Sequence, residues 1–260
     1  MKIVADMHTH TNASTHAYSS LHEMVQGAKR QGHIAIAITD HGPAMDDAPH
    51  WWHFGANRPF PHRIDGVYVL WGIEYNILPP NGGIDPISLE AAESLDYTIA
   101  SFHGPCYSPA DQRAHDLALD TILKNPLVMC FGHLGNSKFP FDKEKLISQC
   151  NQYGKIVEIN NNSTRVRKGS WENCTEIAKL CAKYRVPIMV TSDAHSEFAV
   201  GQVDAALELV QSAGVPEELV INADENRLRN FLLERRGIDI FALGYRSGSL
   251  LTAAFVILVG

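Results

Sequence analysis

Short apolar runs alternate with amphipathic segments along most of the chain. Seven of these runs are nearly continuous in apolar residues, which is typical of parallel strands that are buried on both faces. They predict strands at residues 3–7, 34–39, 67–73, 97–102, 128–131, 156–159 and 187–191.

The segments between the predicted strands carry signals of helix ends. Ser20 and Glu23 form a capping-box pattern at the start of a helix that Gly32 closes. Further helices are predicted to begin at Asp142, Ser170 and Asp224. This alternation predicts an α/β fold with a parallel sheet. Periodicity alone fits an open sheet or a closed barrel, and seven candidate strands favour the barrel.

The composition is that of a globular protein with a substantial core, since the 260 residues are 45% hydrophobic and 20% charged. No repeat or low-complexity linker divides the chain. We therefore predict one barrel domain over residues 1–246 and an apolar tail over residues 247–260. The formal net charge of −7 argues against stable binding of nucleic acid through bulk electrostatics.

The cysteines and the chain ends bear on location. Five cysteines without a CxxC pair indicate reduced thiols, as in cytoplasmic proteins. The first residues lack the apolar region of a signal peptide, and the apolar run of residues 250–259 is shorter than the roughly 20 residues that span a bilayer. We expect a cytoplasmic protein without a membrane partner. Membrane contact by this run is the alternative, and a homo-oligomer is left open.

Histidines and acidic residues cluster where the predicted strands end. Seven of the 13 histidines lie at or just beyond carboxyl ends of strands, together with one Glu and one Asp. In an α/β barrel these ends open on one face, where active sites are built. The candidate metal ligands are His8, His10, His16, His41, Glu74, His103, His133, Asp193 and His195.

The spacing of these residues favours metal binding. His8 and His10 are two positions apart, so on a strand both imidazoles point the same way, and Asp193 and His195 repeat that spacing. Imidazole and carboxylate suit Zn, Fe or Mn. Nine ligands exceed the need of one tetrahedral site and suit two or three ions.

The candidate ligands stand in ordered motifs, which are His8-x-His10, His16, Thr39-Asp40-His41, Gly72-x-Glu74, His103, His133 and Ser192-Asp193-x-His195. These motifs resemble those of the PHP (polymerase and histidinol phosphatase) family, and residues 13–19, 38–43, 47–50 and 52–54 resemble its YcdX-like phosphatase branch. The similarity covers roughly residues 3–240. One departure is Leu134, which stands after His133 where relatives tend to have proline.

The resemblance implies a distorted (β/α)7 TIM-like barrel with about three zinc ions at the carboxyl ends of the strands. It assigns the first ion to His8, His10, Glu74 and Asp193. It assigns the second to Glu74, His103 and His133, with Glu74 bridging, and the third to His16, His41 and His195. Manganese or iron are possible substitutes.

Such a cluster can lower the pKa of a bound water and hold a phosphate. We therefore hypothesise hydrolysis of a small phosphate monoester by a metal-bridging hydroxide, without a side-chain nucleophile. Asp6 and Asp40 are candidates to orient the ligating imidazoles.

Candidate phosphate contacts are Arg58, Arg63, Arg165, Arg167 and Lys168. Residues 42–66 form a long connection that we interpret as a lid or rim. Its tryptophans Trp51 and Trp52, with Phe54, are candidates to contact the organic part of the substrate or to pack the connection onto the barrel.

Three alternatives remain: a PHP-type phosphodiesterase or exonuclease, an amidohydrolase-type barrel, and a non-catalytic metal-binding protein. The acidic charge argues against the first, and we find no lysine at a middle strand end that would indicate the second.

Overall fold

Seven parallel strands form a nearly closed barrel in the computed structural model, which describes residues 1–57, 59–237 and 239–242. In chain order the strands are β1 (Ala5–Thr9), β2 (Ala35–Ile38), β3 (Arg63–Ile64), β4 (Val67–Asn76), β5 (Tyr97–Ser101), β6 (Cys130–Phe131), β7 (Ile156–Asn160) and β8 (Ile188–Thr191). The parallel order is β1-β2-β4-β5-β6-β7-β8, and β3 pairs antiparallel with β4. The α/β barrel and its seven strands are thus confirmed. Arg58 and the tail at 247–260 lie outside the described residues, and the division into domains stays a prediction.

The two ends of the sheet meet through a small number of bonds. Thr9 forms a parallel bridge with Ala194 next to the carboxyl ends, and the His10 N–H donates to the Ala194 carbonyl at 2.8 Å. Near the amino end of β1, the buried side chain of Asn222 donates to the carbonyls of Ala5 and Val190. One amide side chain therefore joins β1 to β8 where the ladder itself is incomplete.

Helices cover the outside of the barrel. They are α1 (Leu21–Arg30), α2 (His53–Ala56), α3 (Leu89–Ser94), α4 (Gln112–Lys124), α5 (Lys143–Gln149), α6 (Ser163–Val166), α7 (Ser170–Tyr184), α8 (Asp204–Ser212) and α9 (Glu225–Arg236). The capping box of Ser20 and Glu23 is present, and Asp142 and Asp224 cap their helices as predicted. α7 begins at Ser170, as predicted, and Gly169 holds the N-cap position before it.

Side chains inside the barrel change from apolar to polar along each strand. On β4 the inward positions run from Leu70 to Glu74, and on β7 they run from Ile156 to Glu158. The apolar half closes the bottom of the barrel, so the polar groups gather at the carboxyl ends.

An irregularity in β1 brings its histidines into this polar layer. The register between β1 and β2 shifts between Asp6 and Thr9. Met7 packs in the interior cluster, and the next residue, His8, also reaches an interior group, Glu158. The shift therefore turns two successive side chains inward, as bulges beside functional sites do.

Candidate metal centre

The carboxylate of Glu74 lies at the middle of the polar layer. Its Oε2 is 3.2 Å from His8 Nε2, 3.5 Å from His10 Nε2 and 3.1 Å from His41 Nδ1. Glu74 is fully buried, and the three histidines are also buried. The ends of β1, β2 and β4 thus bring three imidazoles to one oxygen atom.

The other oxygen of Glu74 faces a second pair of imidazoles. Glu74 Oε1 is 3.0 Å from His133 Nε2 and 3.4 Å from His103 Nε2, and these two nitrogens are 3.3 Å apart. His133 has a φ of 27°, a left-handed conformation that costs energy for a residue with a side chain. Leu134, which follows it, is buried in the core.

Asp193 completes the layer from the end of β8. Its Oδ1 is 3.3 Å from His10 Nε2, 3.7 Å from His8 Nε2 and 3.6 Å from His195 Nδ1. Its Oδ2 accepts from the Arg167 guanidinium at 3.2 Å. Asp193 has a φ of 56°. It lies two positions after the end of β8, as the left-handed His133 lies two positions after the end of β6.

Four of these buried atoms make no hydrogen bond among the described residues: His8 Nε2, His10 Nε2, His41 Nδ1 and Glu74 Oε2. Buried polar atoms are rarely left unpaired without a ligand or ion. Two donors held at 2.0–2.1 Å by one tetrahedral zinc ion lie about 3.3 Å apart. The donor separations given above cluster around this value, so the residues fit bound metal ions.

Three overlapping groups of donors in the described chain have the compactness that a metal ion requires. They are His8, His10 and Asp193; His41, Glu74 and His103; and His10, His41 and His195. His16 belongs to none of the three. Its ring lies 4.5 Å from the ring of His195 and 5.3 Å from that of His41, and its Nδ1 forms a short contact with Asp47 Oδ2. His16 is therefore beside the layer instead of within it.

Burial and mutual charge set the protonation of the layer. Burial, with nearby His41 and His195, lowers the pKa of His10 to about 3, and burial with the Arg167 charge lowers that of His133 to about 4. Both rings are therefore neutral at pH 7, as metal binding requires. Against the effect of burial, the surrounding imidazoles hold the pKa of Glu74 well below its usual range.

His8 differs from its neighbours. Burial opposes its charged form, but Glu74, Glu158 and Asp193 together raise its pKa well above the usual value. Without an ion, a proton on His8 partly neutralises three buried carboxylates.

Glu158 was not among the sequence candidates. It sits inside the run that predicts β7, and its Oε1 is 2.5 Å from His8 Nδ1. The signal was a charged residue two positions before Asn160 in an otherwise apolar strand, the same spacing as His8 and His10. Asn76 was missed for a similar reason: it ends β4, and its Oδ1 is 2.7 Å from His103 Nδ1.

In the described part of the chain, the hydrogen bonds of Asp6 and Asp40 go to loop residues and not to the rings of the candidate metal ligands. Asp6 accepts from Ser192 and from the Gly201 N–H, so it fixes the turn that carries Asp193. Asp40 accepts from Thr11 and Ser14 in the loop after β1, and its Oδ2 is 3.4 Å from His53 Nε2. Their role in orienting the ligating imidazoles stays a prediction.

A pocket of about 450 Å³ opens directly above the layer. Arg165 and Arg167 line it together with His16 and His41, and Arg165 is exposed. Met45 also lines it, which places part of the connection of residues 42–66 at the rim.

The other candidate substrate contacts lie elsewhere. Arg63 pairs with Tyr68 at the amino end of β4, away from the pocket, and its guanidinium lies 5.4 Å from the Tyr68 ring. Lys168 is exposed, and its carbonyl accepts a hydrogen bond from Ser137. Phe54 is buried in the core, whereas Trp52 is 66% exposed. The buried Phe54 supports packing of this connection onto the barrel.

No helix in the described part of the chain is long and apolar enough to cross a membrane. All five cysteines are free, and four of them are buried.

Comparisons with known proteins agree with the geometry. A family model described as the PHP domain matches residues 6–188. A "Probable phosphatase" of Acetivibrio thermocellus is 42% identical over 236 residues, covering 91% of this chain and 98% of that protein. One from a Thermoanaerobacter species is 42% identical over 238 residues, covering 91% and 97%.

A solved structure shares the fold at low sequence identity. It is histidinol phosphate phosphatase from Lactococcus lactis, complexed with zinc, L-histidinol and phosphate. It matches with a TM-score of 0.59 at 18% identity, covering 83% of this chain and 95% of that one. The likeness supports the barrel assignment.

Proposed function

Because the chain belongs to the PHP domain family, we propose that it is a metal-dependent phosphatase that hydrolyses a small phosphate monoester. One observation carries the proposal. The two oxygens of Glu74 each face a separate group of imidazoles, beneath a pocket with arginines on its wall. The similar proteins are named probable phosphatases, and these names support the same reaction class.

The layer provides donors for more than one ion. His8, His10, Glu74 and Asp193 would hold one, Glu74, His103 and His133 a second, and His16, His41 and His195 a third. We propose zinc, as in the Lactococcus lactis protein, with manganese or iron as substitutes. When bound, such ions lower the pKa of a water for attack on phosphorus and neutralise charge on the phosphate oxygens.

The remaining wall of the pocket suits the phosphate. Arg165 is exposed on the pocket wall, whereas Arg167 is held by Asp193 at 3.2 Å and presents its charge from a fixed position. Guanidinium groups bind phosphate oxygens through paired hydrogen bonds. A volume of about 450 Å³ suits a small organic phosphate.

We propose hydrolysis by water without a covalent intermediate, and the contacts of Ser192 support this. Ser192 has the hydroxyl next to Asp193 in the chain, and it donates its proton to Asp6. That hydroxyl is therefore committed to holding its own turn. We assign no side-chain nucleophile.

Initial rates with an aryl phosphate monoester and the matching diester test the proposal, using protein reconstituted with zinc or manganese. We expect faster turnover of the monoester, its loss on treatment with a chelator, and its recovery when metal is returned. Preference for the diester would place the protein with the phosphodiesterases instead. Full metal content with no turnover of any ester would favour a non-catalytic metal-binding protein.

A further inference from the structure

Glu158 is a buried carboxylate beneath the metal centre that the proposed reaction does not use directly. It lies on β7 and is 2% exposed. Burial of a carboxylate is unfavourable unless its oxygens accept hydrogen bonds. Each oxygen of Glu158 has two such contacts, so both oxygens of the buried carboxylate have hydrogen-bond partners.

The first oxygen holds His8. Glu158 Oε1 is 2.5 Å from His8 Nδ1 and also accepts from the Thr191 hydroxyl at 2.6 Å. When His8 Nδ1 carries the proton, its Nε2 keeps the free lone pair, and that nitrogen is 3.2 Å from Glu74 Oε2. An outer carboxylate that accepts from one ring nitrogen fixes the tautomer in which the other binds metal.

The second oxygen holds His133. Glu158 Oε2 accepts the backbone N–H of His133 at 2.6 Å and the side-chain N–H of Asn160 at 3.2 Å. His133 has the left-handed φ of 27°, so its backbone needs a specific partner to keep this conformation. The imidazole of His133 then meets the other oxygen of Glu74, at 3.0 Å.

We infer that Glu158 is a positioning residue that joins the two halves of the metal centre, by fixing the His8 tautomer through one oxygen and the His133 backbone through the other. The inference rests on the metal-binding part of the proposed function. It assigns no chemical step to Glu158.

Glutamine at this position keeps the shape of the side chain, but it can accept hydrogen bonds toward only one of the two histidines. A carboxylate accepts hydrogen bonds at both oxygens, whereas an amide accepts at one oxygen and donates at its nitrogen. If the amide oxygen faces His133, the NH2 group faces His8 Nδ1 and favours the tautomer with Nε2 protonated. If it faces His8, the NH2 group opposes the His133 N–H. Either orientation disturbs one half of the centre.

The test compares zinc affinity of wild-type protein with that of Glu158→Gln, by competition with a chromophoric chelator and by metal analysis after desalting. Glu144→Gln is the matched control, because that carboxylate is exposed and bonds Lys183 on the outer surface. We expect zinc affinity to fall about 10- to 100-fold in Glu158→Gln and to stay unchanged in the control. Equal affinity in all three proteins would overturn the inference alone. A wild-type protein that binds no zinc would overturn the proposed function, and this inference with it.

A second measurement needs no variant at position 158, so it tests the inference even if Glu158→Gln does not fold. Long-range ¹⁵N–¹H correlation of histidine-labelled, zinc-loaded wild-type protein reports which ring nitrogen of His8 carries the proton, and His8→Gln identifies its signal. We expect the proton on Nδ1. A proton on Nε2, with Nδ1 free of hydrogen, would overturn the inference.

Discussion

Replacement of Glu74 by glutamine removes the group that both halves of the metal centre share. Glu74 Oε2 lies 3.2 Å from His8 Nε2, and an ion bound by both atoms lies within that distance of the carboxylate. At an effective dielectric constant of about 20, two unit charges about 3.2 Å apart interact with about 5 kcal/mol. Desolvation offsets part of this, and we take about 3 kcal/mol as the net loss for a cation held at this position. That corresponds to about a 100-fold loss of metal affinity, since 1.4 kcal/mol is a factor of ten.

The amide makes the loss unavoidable in either orientation. Its NH2 group must face His8 and His41 on one side or His103 and His133 on the other, and an N–H donor does not ligate a metal. We expect Glu74→Gln to retain fewer zinc ions per chain than wild-type protein, and kcat/KM on an aryl phosphate to fall at least about 100-fold.

Metal analysis and initial rates check this prediction side by side. Glu144→Gln makes the same chemical change on the outer surface and should match wild-type protein in both. Melting temperatures measured with chelator present would show whether Glu74→Gln still folds. A folded Glu74→Gln protein with wild-type zinc content and wild-type rates would show that the two halves of the metal centre do not depend on Glu74.

Three further predictions concern single features of the site. Arg165→Ala should raise KM for an aryl phosphate about 10-fold with little change in kcat, because a charge-assisted hydrogen bond contributes about 1.5–3 kcal/mol. Arg63→Ala is the control and should leave KM and kcat unchanged. Equal effects of the two substitutions would contradict the placement of the pocket. His16→Ala should lose about one zinc ion per chain and most of its activity, and full activity with full metal content would remove His16 from the third site. Metal-free protein should lose about 2 kcal/mol of unfolding free energy between pH 6 and pH 5, measured by urea denaturation. Burial holds the folded pKa of His10 at about 3 and that of His133 at about 4, below the unfolded value of about 6.5. The unfolded chain therefore binds more protons than the folded protein as the pH falls, which lowers the unfolding free energy. If a variant with asparagine at both positions loses as much unfolding free energy as wild-type protein, this cause is contradicted.

The strands could be predicted from sequence because buried parallel strands leave continuous apolar runs. The prediction was least accurate at the polar layer. The predicted strand at residues 3–7 is Ala5–Thr9 in the structure, and the predicted strand at residues 67–73 continues to Asn76. In both strands the chain remains extended after its apolar residues end, because the next side chains contact each other inside the barrel. The two-residue strand β3 (Arg63–Ile64) was missed because so short a segment has no periodicity.

The candidate ligands were visible because their spacing and strand-end positions follow from the fold. The carboxylates that contact these ligands from other parts of the chain could not be assigned to them from the sequence. Glu158 contacts His8, 150 positions away in the chain, and Asp47 contacts His16 from a long connection. The spacing on β7 marks Glu158 as an unusual residue, but which residue it contacts depends on how the strands and loops close in space.

A crystal structure of zinc-loaded protein with inorganic phosphate, with anomalous data at the zinc edge, would show directly whether Glu74 joins two metal sites. We expect separate peaks on the two sides of Glu74, one bounded by His8, His10 and Asp193 and one by His103 and His133, with phosphate above them beside Arg165. A third peak is expected beside His16. A single ion away from Glu74, or no zinc in the layer at all, would show that Glu74 does not join two metal sites.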